Sequence, residues 1–198
     1  LHEQNAQALA QFDQELARVT AYRQEKVAPA WQALQDYAKG NWQDVGEGLS
    51  QAEATLAQLR EARREQIEQM NDLETQQFTQ AEQALTQANA DLAQVKGQLE
   101  AVINRLGEVQ AAQAHIQEGL RLTAADLRKA ITLRDKEDVK IGPKVDQQIA
   151  QAQERLDKAQ KLAQDQNFIA ATAAQTAARE LATAAHTAAS AQVQEINA

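Results

Sequence analysis

The side chains able to do chemistry in this 198-residue chain are few and scattered. Histidine serves zinc sites and proton transfer, and here there are three: His2, His115 and His186. None has a ligand-type His, Cys or paired carboxylate at i+3 or i+4, the spacing that brings two donors to one helical face. The absence of cysteine excludes a thiolate nucleophile, a disulfide and a sulfur-ligated metal. Ser50 and Ser190 lack a nucleophile elbow or a neighbouring base. Gly46-Glu47-Gly48 is too short for a phosphate loop and is not followed by Lys-Ser/Thr. The many carboxylates read as a solvated helical surface rather than an acid/base pair. These residues predict a non-enzyme with no metal, no cofactor and no small-molecule substrate.

Two groups stand out as candidates for binding a protein partner. Trp31, Tyr37 and Trp42 concentrate the scarce aromatics around one turn, where they form either a partner-binding hot spot or a buried cap on a bundle end. The buried cap, with Trp42 as the staple, is the expected arrangement. Arg121 to Lys144 is locally basic in an acidic chain, with Arg128, Lys129 and Lys140 as its central cations. It reads as a mixed-charge helix end, with cations favoured near the C-terminal dipole. The other reading is a patch that touches an acidic partner or an anionic lipid.

Hydrophobic spacing defines the elements that position these groups. From Phe78 the stripe Leu85, Leu92, Val95, Leu99, Val102, Leu106, Val109, Ile116, Leu120, Leu127 keeps one heptad phase across about 50 residues. At ~1.5 Å per residue, such a helix is ~75 Å long. Upstream, Leu9, Phe12, Leu16, Val19, Val27, Trp31 and Leu34 mark a first helix. Pro29 either kinks it or opens a new helix after a break near Val27. Lys39-Gly40-Asn41 is a stop, and Val45, Leu49, Ala52, Leu56, Leu59, Ile67 and Met70 mark a second helix. A turn is expected between Asn71 and Thr75, although Leu73 also fits a register that would fuse the second helix with the third. Ile141-Gly142-Pro143 ends the long helix. Val145, Ile149, Ala152, Leu156 and Ala159 follow. After Asp165-Gln166-Asn167 comes an Ala-rich helix with an expected stripe Ala173, Ala177, Leu181, Ala184, Ala188. Lys39-Gly-Asn-Trp42 and Asp165-Gln-Asn-Phe168 echo each other, each placing Asn and an aromatic at a helix start.

Composition agrees with an all-α chain. Ala and Gln supply over a third of the residues, and both are good helix formers. A net charge of −8 of mixed sign disfavours nucleic acid. No apolar run reaches the ~18 residues of a membrane span. The chain begins with Leu, not Met, and reads as an excised piece, so any membrane contact would come from flanking segments. Localisation is expected to be bacterial envelope-associated or cytoplasmic.

The Ala/Leu stripes, the long helix shared between neighbours and the short polar turns resemble spectrin-type repeats. In bacteria they are similar to the rod of the septation-ring regulator EzrA. From Pro143-Lys-Val-Asp-Gln-Gln-Ile149 onward, the Ala-rich hairpin with Asn167-Phe168 in its turn also resembles the helical region that follows TPM domains in bacterial envelope proteins. These resemblances imply a scaffold role and contribute no catalytic residue. The expected architecture is all-α: elongated, antiparallel, spectrin-like three-helix bundles over residues 1–118 and 119–198, sharing one long central helix. The expected function is a structural spacer and protein-interaction module within a larger bacterial protein. The alternatives are a coiled-coil arm of a chromosome-segregation or repair-type ATPase, or the α-hairpin of a secretion or efflux adaptor.

Overall fold

The computed structural model describes residues 1–137 and 141–197. It is all-helical, with no strand among the described residues. In chain order come α1 (His2–Tyr22), a π turn (Arg23–Val27), α2 (Ala28–Gln35), a 3-10 turn (Lys39–Asn41) and α3 (Gln43–Gln58). A second π turn (Leu59–Arg63), α4 (Arg64–Met70), α5 (Phe78–Lys136), α6 (Pro143–Gln164) and α7 (Phe168–Asn197) follow. The residues gather into two compact units, one of Leu1–Asp36 with Trp42–Leu106, the other of Tyr37–Asn41 with Gly107–Ala198.

In the first unit the buried face of α5 carries Ala81, Leu85, Ala88, Leu92, Val95, Leu99 and Val102. Their separations alternate four and three residues, so they form one stripe on a 3.6-residue helix. Leu9, Phe12, Leu16 and Val19 of α1 and Leu49, Ala52 and Leu56 of α3 are buried with them. Ion pairs on the rim bind the helices together: Arg64 Nε to Asp13 Oδ1 at 3.0 Å, Arg105 Nη2 to Asp44 Oδ2 at 2.8 Å, and Arg23 with Glu53.

Both π turns fall where the apolar spacing breaks step. A heptad continuing from Val19 would next point Arg23 and Lys26 inward, yet the sequence offers Val27. Continuing from Leu59 it would point Arg63 and Gln66 inward, yet the sequence offers Ile67. One extra residue in the turn absorbs each mismatch, and Val27 and Ile67 are both fully enclosed. The first π turn also answers the question posed by Pro29. Ala28 N–H bonds to Arg23 O, five residues back, and Pro29 then sits in the first turn of α2. There its missing N–H costs little.

The predicted turn after Met70 is present, and Leu73 is not part of a fused helix. Two buried amides close this end. Asn5 Nδ2 donates to Asn71 Oδ1 at 3.0 Å and to Phe78 O at 2.8 Å, and Asn71 Nδ2 donates to His2 O at 3.1 Å. One pair of side chains thus ties the start of α1 to the end of α4 and the start of α5.

In the second unit the α5 stripe continues through Val109, Ile116, Leu120, Leu127 and Ala130. The predicted α6 stripe, Val145 to Ala159, is buried throughout. The predicted α7 stripe is out of phase. Ala173 and Ala184 are exposed, and the buried face is Phe168, Ala171, Gln175, Ala178, Ala182, Ala185 and Ala189. In a helix this rich in Ala, hydrophobicity hardly distinguishes one face from another. Phe168, with far more apolar area than any Ala, sets the phase.

Glycines on α5 give a direct test of the packing. A Cβ added at Gly97 meets nothing within 4 Å, whereas one at Gly119 would lie 2.9 Å from Gln175 Oε1. Gln175 is buried and donates to Thr123 Oγ1 at 2.8 Å, so it cannot move aside without losing that bond. Gly97→Ala is expected to raise stability by about 0.5–1 kcal/mol. Gly119→Ala is expected to show no such gain. Urea denaturation of the two variants beside the parent chain checks both.

Candidate functional site

The aromatic trio divides in two. Trp31 and Trp42 are half-buried and meet edge to face, centroids 5.2 Å apart with an interplanar angle of 82°. Gly46 on the next turn makes room for them, since a Cβ there would lie 2.7 Å from Trp31 Cη2. Each tryptophan is thus partly enclosed, between the buried cap and the exposed hot spot that the sequence offers. Tyr37 belongs to the second unit. It packs edge to face on Phe168 at 6.0 Å, and its hydroxyl donates to Gln113 Oε1 at 3.0 Å.

Around Tyr37 the two echoing segments turn out to be partners. α6 ends in a tight C-terminal reversal: Asn167 N–H bonds to Leu162 O at 2.8 Å and Gln166 N–H to Ala163 O at 3.1 Å. This places Gln166 at φ 58, a left-handed conformation that costs a non-glycine residue about 1 kcal/mol. Asn41 compensates. Its Nδ2 donates to Gln166 O at 2.7 Å and to Ala38 O at 3.0 Å, while its Oδ1 accepts Ile169 N–H at 3.1 Å. Asn41 therefore holds the preceding turn and caps the first turn of α7 with one fully enclosed side chain. Gly40 permits the approach, because a Cβ there would lie 2.5 Å from Asn167 Nδ2.

The basic segment is matched in part by acids within it and on neighbouring turns. Arg121 pairs with Glu118, Lys129 with Asp126 at 3.0 Å, and Arg134 with both Asp135 and Asp146. Asp126 also takes Arg179 from α7 at 3.1 Å. Arg128 is exposed. Lys140 lies outside the described residues. Three cations of this run, Arg121, Lys129 and Arg134, are thus drawn into ion pairs. Cations drawn into such pairs have less field left to offer an anionic surface.

No family model, curated protein or solved structure matches this chain.

Of the histidines, His2 meets the Phe78 ring edge to face at 5.6 Å, His115 is exposed and His186 is half-buried. Among the described residues, no group of three or more His, Asp or Glu side chains could hold a metal ion. No helix among them is long and apolar enough to cross a membrane.

The carboxylates with displaced titration are all partners of cations. The Arg105 guanidinium, hydrogen-bonded through both terminal nitrogens, holds Asp44 below the usual carboxylate range. Lys129, with Arg179 behind it, does the same for Asp126, and Arg121 for Glu118. The polar residues that periodicity passes over are Asn5, Asn71, Thr123 and Gln175. Their types are common on helix surfaces and at turns, and no spacing rule separates a buried amide from a solvated one.

Two outcomes follow from these geometries. Asn41→Ala leaves Gln166 O and Ile169 N–H without their partner, and is expected to lower stability by more than about 2 kcal/mol, measured by denaturant unfolding. A carboxylate whose folded pKa is depressed adds stability above its unfolded pKa and loses it as pH falls through the folded value. Asp44→Asn is therefore expected to melt below the parent at pH 7. The difference, up to about 1 kcal/mol for so exposed a pair, should close as the pH falls below about 4. Thermal melts from pH 3 to 7 follow it.

Proposed function

We propose that this chain is a non-enzymatic helical spacer and protein-interaction module, a segment of a larger bacterial protein with spectrin-like bundles and α5 as a shared spine. The observation that carries this reading is how the α5 stripe is used. From Ala81 to Ala130 its heptad positions are buried by helices of the same chain, apart from the half-buried Leu106 and the exposed Gln113. A stripe satisfied within one chain needs no second copy to cover it, which favours a folded-back bundle over an arm that pairs with another arm. What remains for binding lies on the surface: the half-buried indoles Trp31 and Trp42 and the exposed Arg128. Large aromatics and Arg are the side chains most often responsible for binding energy at protein interfaces.

Light scattering on the purified chain is expected to give the mass of one copy. A stable parallel dimer would overturn the reading in favour of a coiled-coil arm. The interaction half is tested in the longer native protein with a photo-crosslinking residue at Trp31, Trp42 or Arg128. Adducts to a partner protein are expected from these positions and not from the exposed controls Gln83 and Gln151. Equal yields from all positions would remove them as a binding surface.

A further inference from the structure

We infer that the seam between α1 and the run from α3 to α4 is a docking groove for a helix of a partner protein, and that a carboxylate of that helix binds Arg60. Along this seam the charges of the two sides are matched in rungs. At one end Arg64 Nε donates to both oxygens of Asp13, at 3.0 and 3.1 Å. At the other end Arg23 pairs with Glu53. Arg60 lies between them, in the second π turn, and is exposed. One turn on from Asp13 along α1 is Ala17, and one turn back from Arg64 is Arg60. The place where the matching acid would stand is therefore held by an alanine. Arg60 makes no hydrogen bond or ion pair among the described residues.

The groove has room for a helix. Two adjoining hollows, of about 380 and about 200 Å³, share Thr20, Gln24 and Arg60. The buried Leu16 and Leu56 line them, and Ala17, Ala21 and Ala57 are exposed along their walls. Such short side chains let a helix axis approach toward the ~8 Å end of the packing range. The run from Asp13 to Arg23 is about 15 Å, close to three helical turns.

Charge selects the occupant. The guanidinium fork takes a carboxylate through two parallel N–H bonds. A wholly apolar helix would cover Arg60 without a partner, which costs free energy, and a basic one would be repelled. Thr20 does not supply the missing acceptor from within, since it is neutral and its hydroxyl donates to Leu16 O at 2.8 Å. The exposed leucines among the described residues, Leu1 and Leu73, lie elsewhere, at the end of the unit closed by Asn5 and Asn71. An unmatched cation, not an apolar excess, marks this groove. The inference rests on the reading of the chain as a protein-interaction module, but on none of Trp31, Trp42 and Arg128.

The test pans a displayed library of helical peptides, about four turns long and randomised on one face, on the parent chain and on Arg60→Glu. Peptides that bind both are set aside. Those specific to the parent are expected to share a Glu or Asp at one position and to bind Arg60→Glu at least about 10-fold more weakly. Changing that acid to Lys is expected to restore binding to Arg60→Glu. Arg60→Gln serves in its place should the reversed charge not fold, and is expected to weaken the same peptides at least about 10-fold. Ala17→Glu fills the rung from within. It is expected to weaken the peptides equally while melting no lower than the parent at low salt. Arg128→Glu, the same charge reversal on an exposed arginine of the second unit, is expected to leave their binding unchanged, so a failure of the Trp31, Trp42 and Arg128 surface is read separately from a failure here. No parent-specific peptide, parent-specific peptides without a shared acid, undiminished binding to Ala17→Glu, or an equal loss with Arg128→Glu would each overturn the proposal. A dimer of the parent chain that Arg60→Glu dissolves would overturn it in favour of a second copy as the occupant.

Discussion

Burial of a single apolar edge along α5 is the constraint to which the other elements answer. A helix of 59 residues with a sustained heptad stripe cannot leave that stripe in water, and the helices of the same chain are what cover it. α1 to α4 cover the part in the first unit, and α6 and α7 the part in the second. The lateral phase of each covering helix is then fixed by which of its residues must meet the stripe. Where the sequence of a covering helix is one residue out of step, the backbone yields rather than the core. This is the origin of both π turns.

Apolar stripes of Ala, Leu and Val slide easily past one another, because many registers bury similar areas. Buried amides remove that freedom. Asn5 with Asn71 in the first unit, and Asn41 and the Gln175–Thr123 pair in the second, each find their partners in one alignment only. An amide that loses its partner inside a protein costs more than the small difference in apolar burial between neighbouring registers. These few polar contacts therefore specify alignment, while the aliphatic stripes supply most of the stabilisation.

The surface charges obey the same logic of local matching. They are organised as Arg–carboxylate and Lys–carboxylate pairs between neighbouring turns or helices, which depress Asp44, Glu118 and Asp126 without creating a reactive group. Displaced titration at a catalytic site usually combines burial with an unmatched charge. Here the displaced carboxylates are mostly solvated, and each one faces a cation.

The sequence by itself determined the helical class, the α5 stripe, the α6 stripe and the turns at Asn71, Gly142 and Asp165, because these depend on local spacing and turn chemistry. It also placed the two Asn-aromatic turns in parallel, but not in contact. Tertiary structure decided the phase of α7, since Ala on every face gives periodicity nothing to select and the single ring of Phe168 settles it. It split Tyr37 from the two tryptophans by offering it Phe168 and Gln113. It also drew Arg121, Lys129 and Arg134 of the basic run into ion pairs with acids on adjacent turns and helices. Local pattern can reveal which residues prefer to leave water. Which neighbour receives them depends on the packing of segments far apart in the chain, and that is where the buried amides, the π turns and the exposed Leu73 were decided.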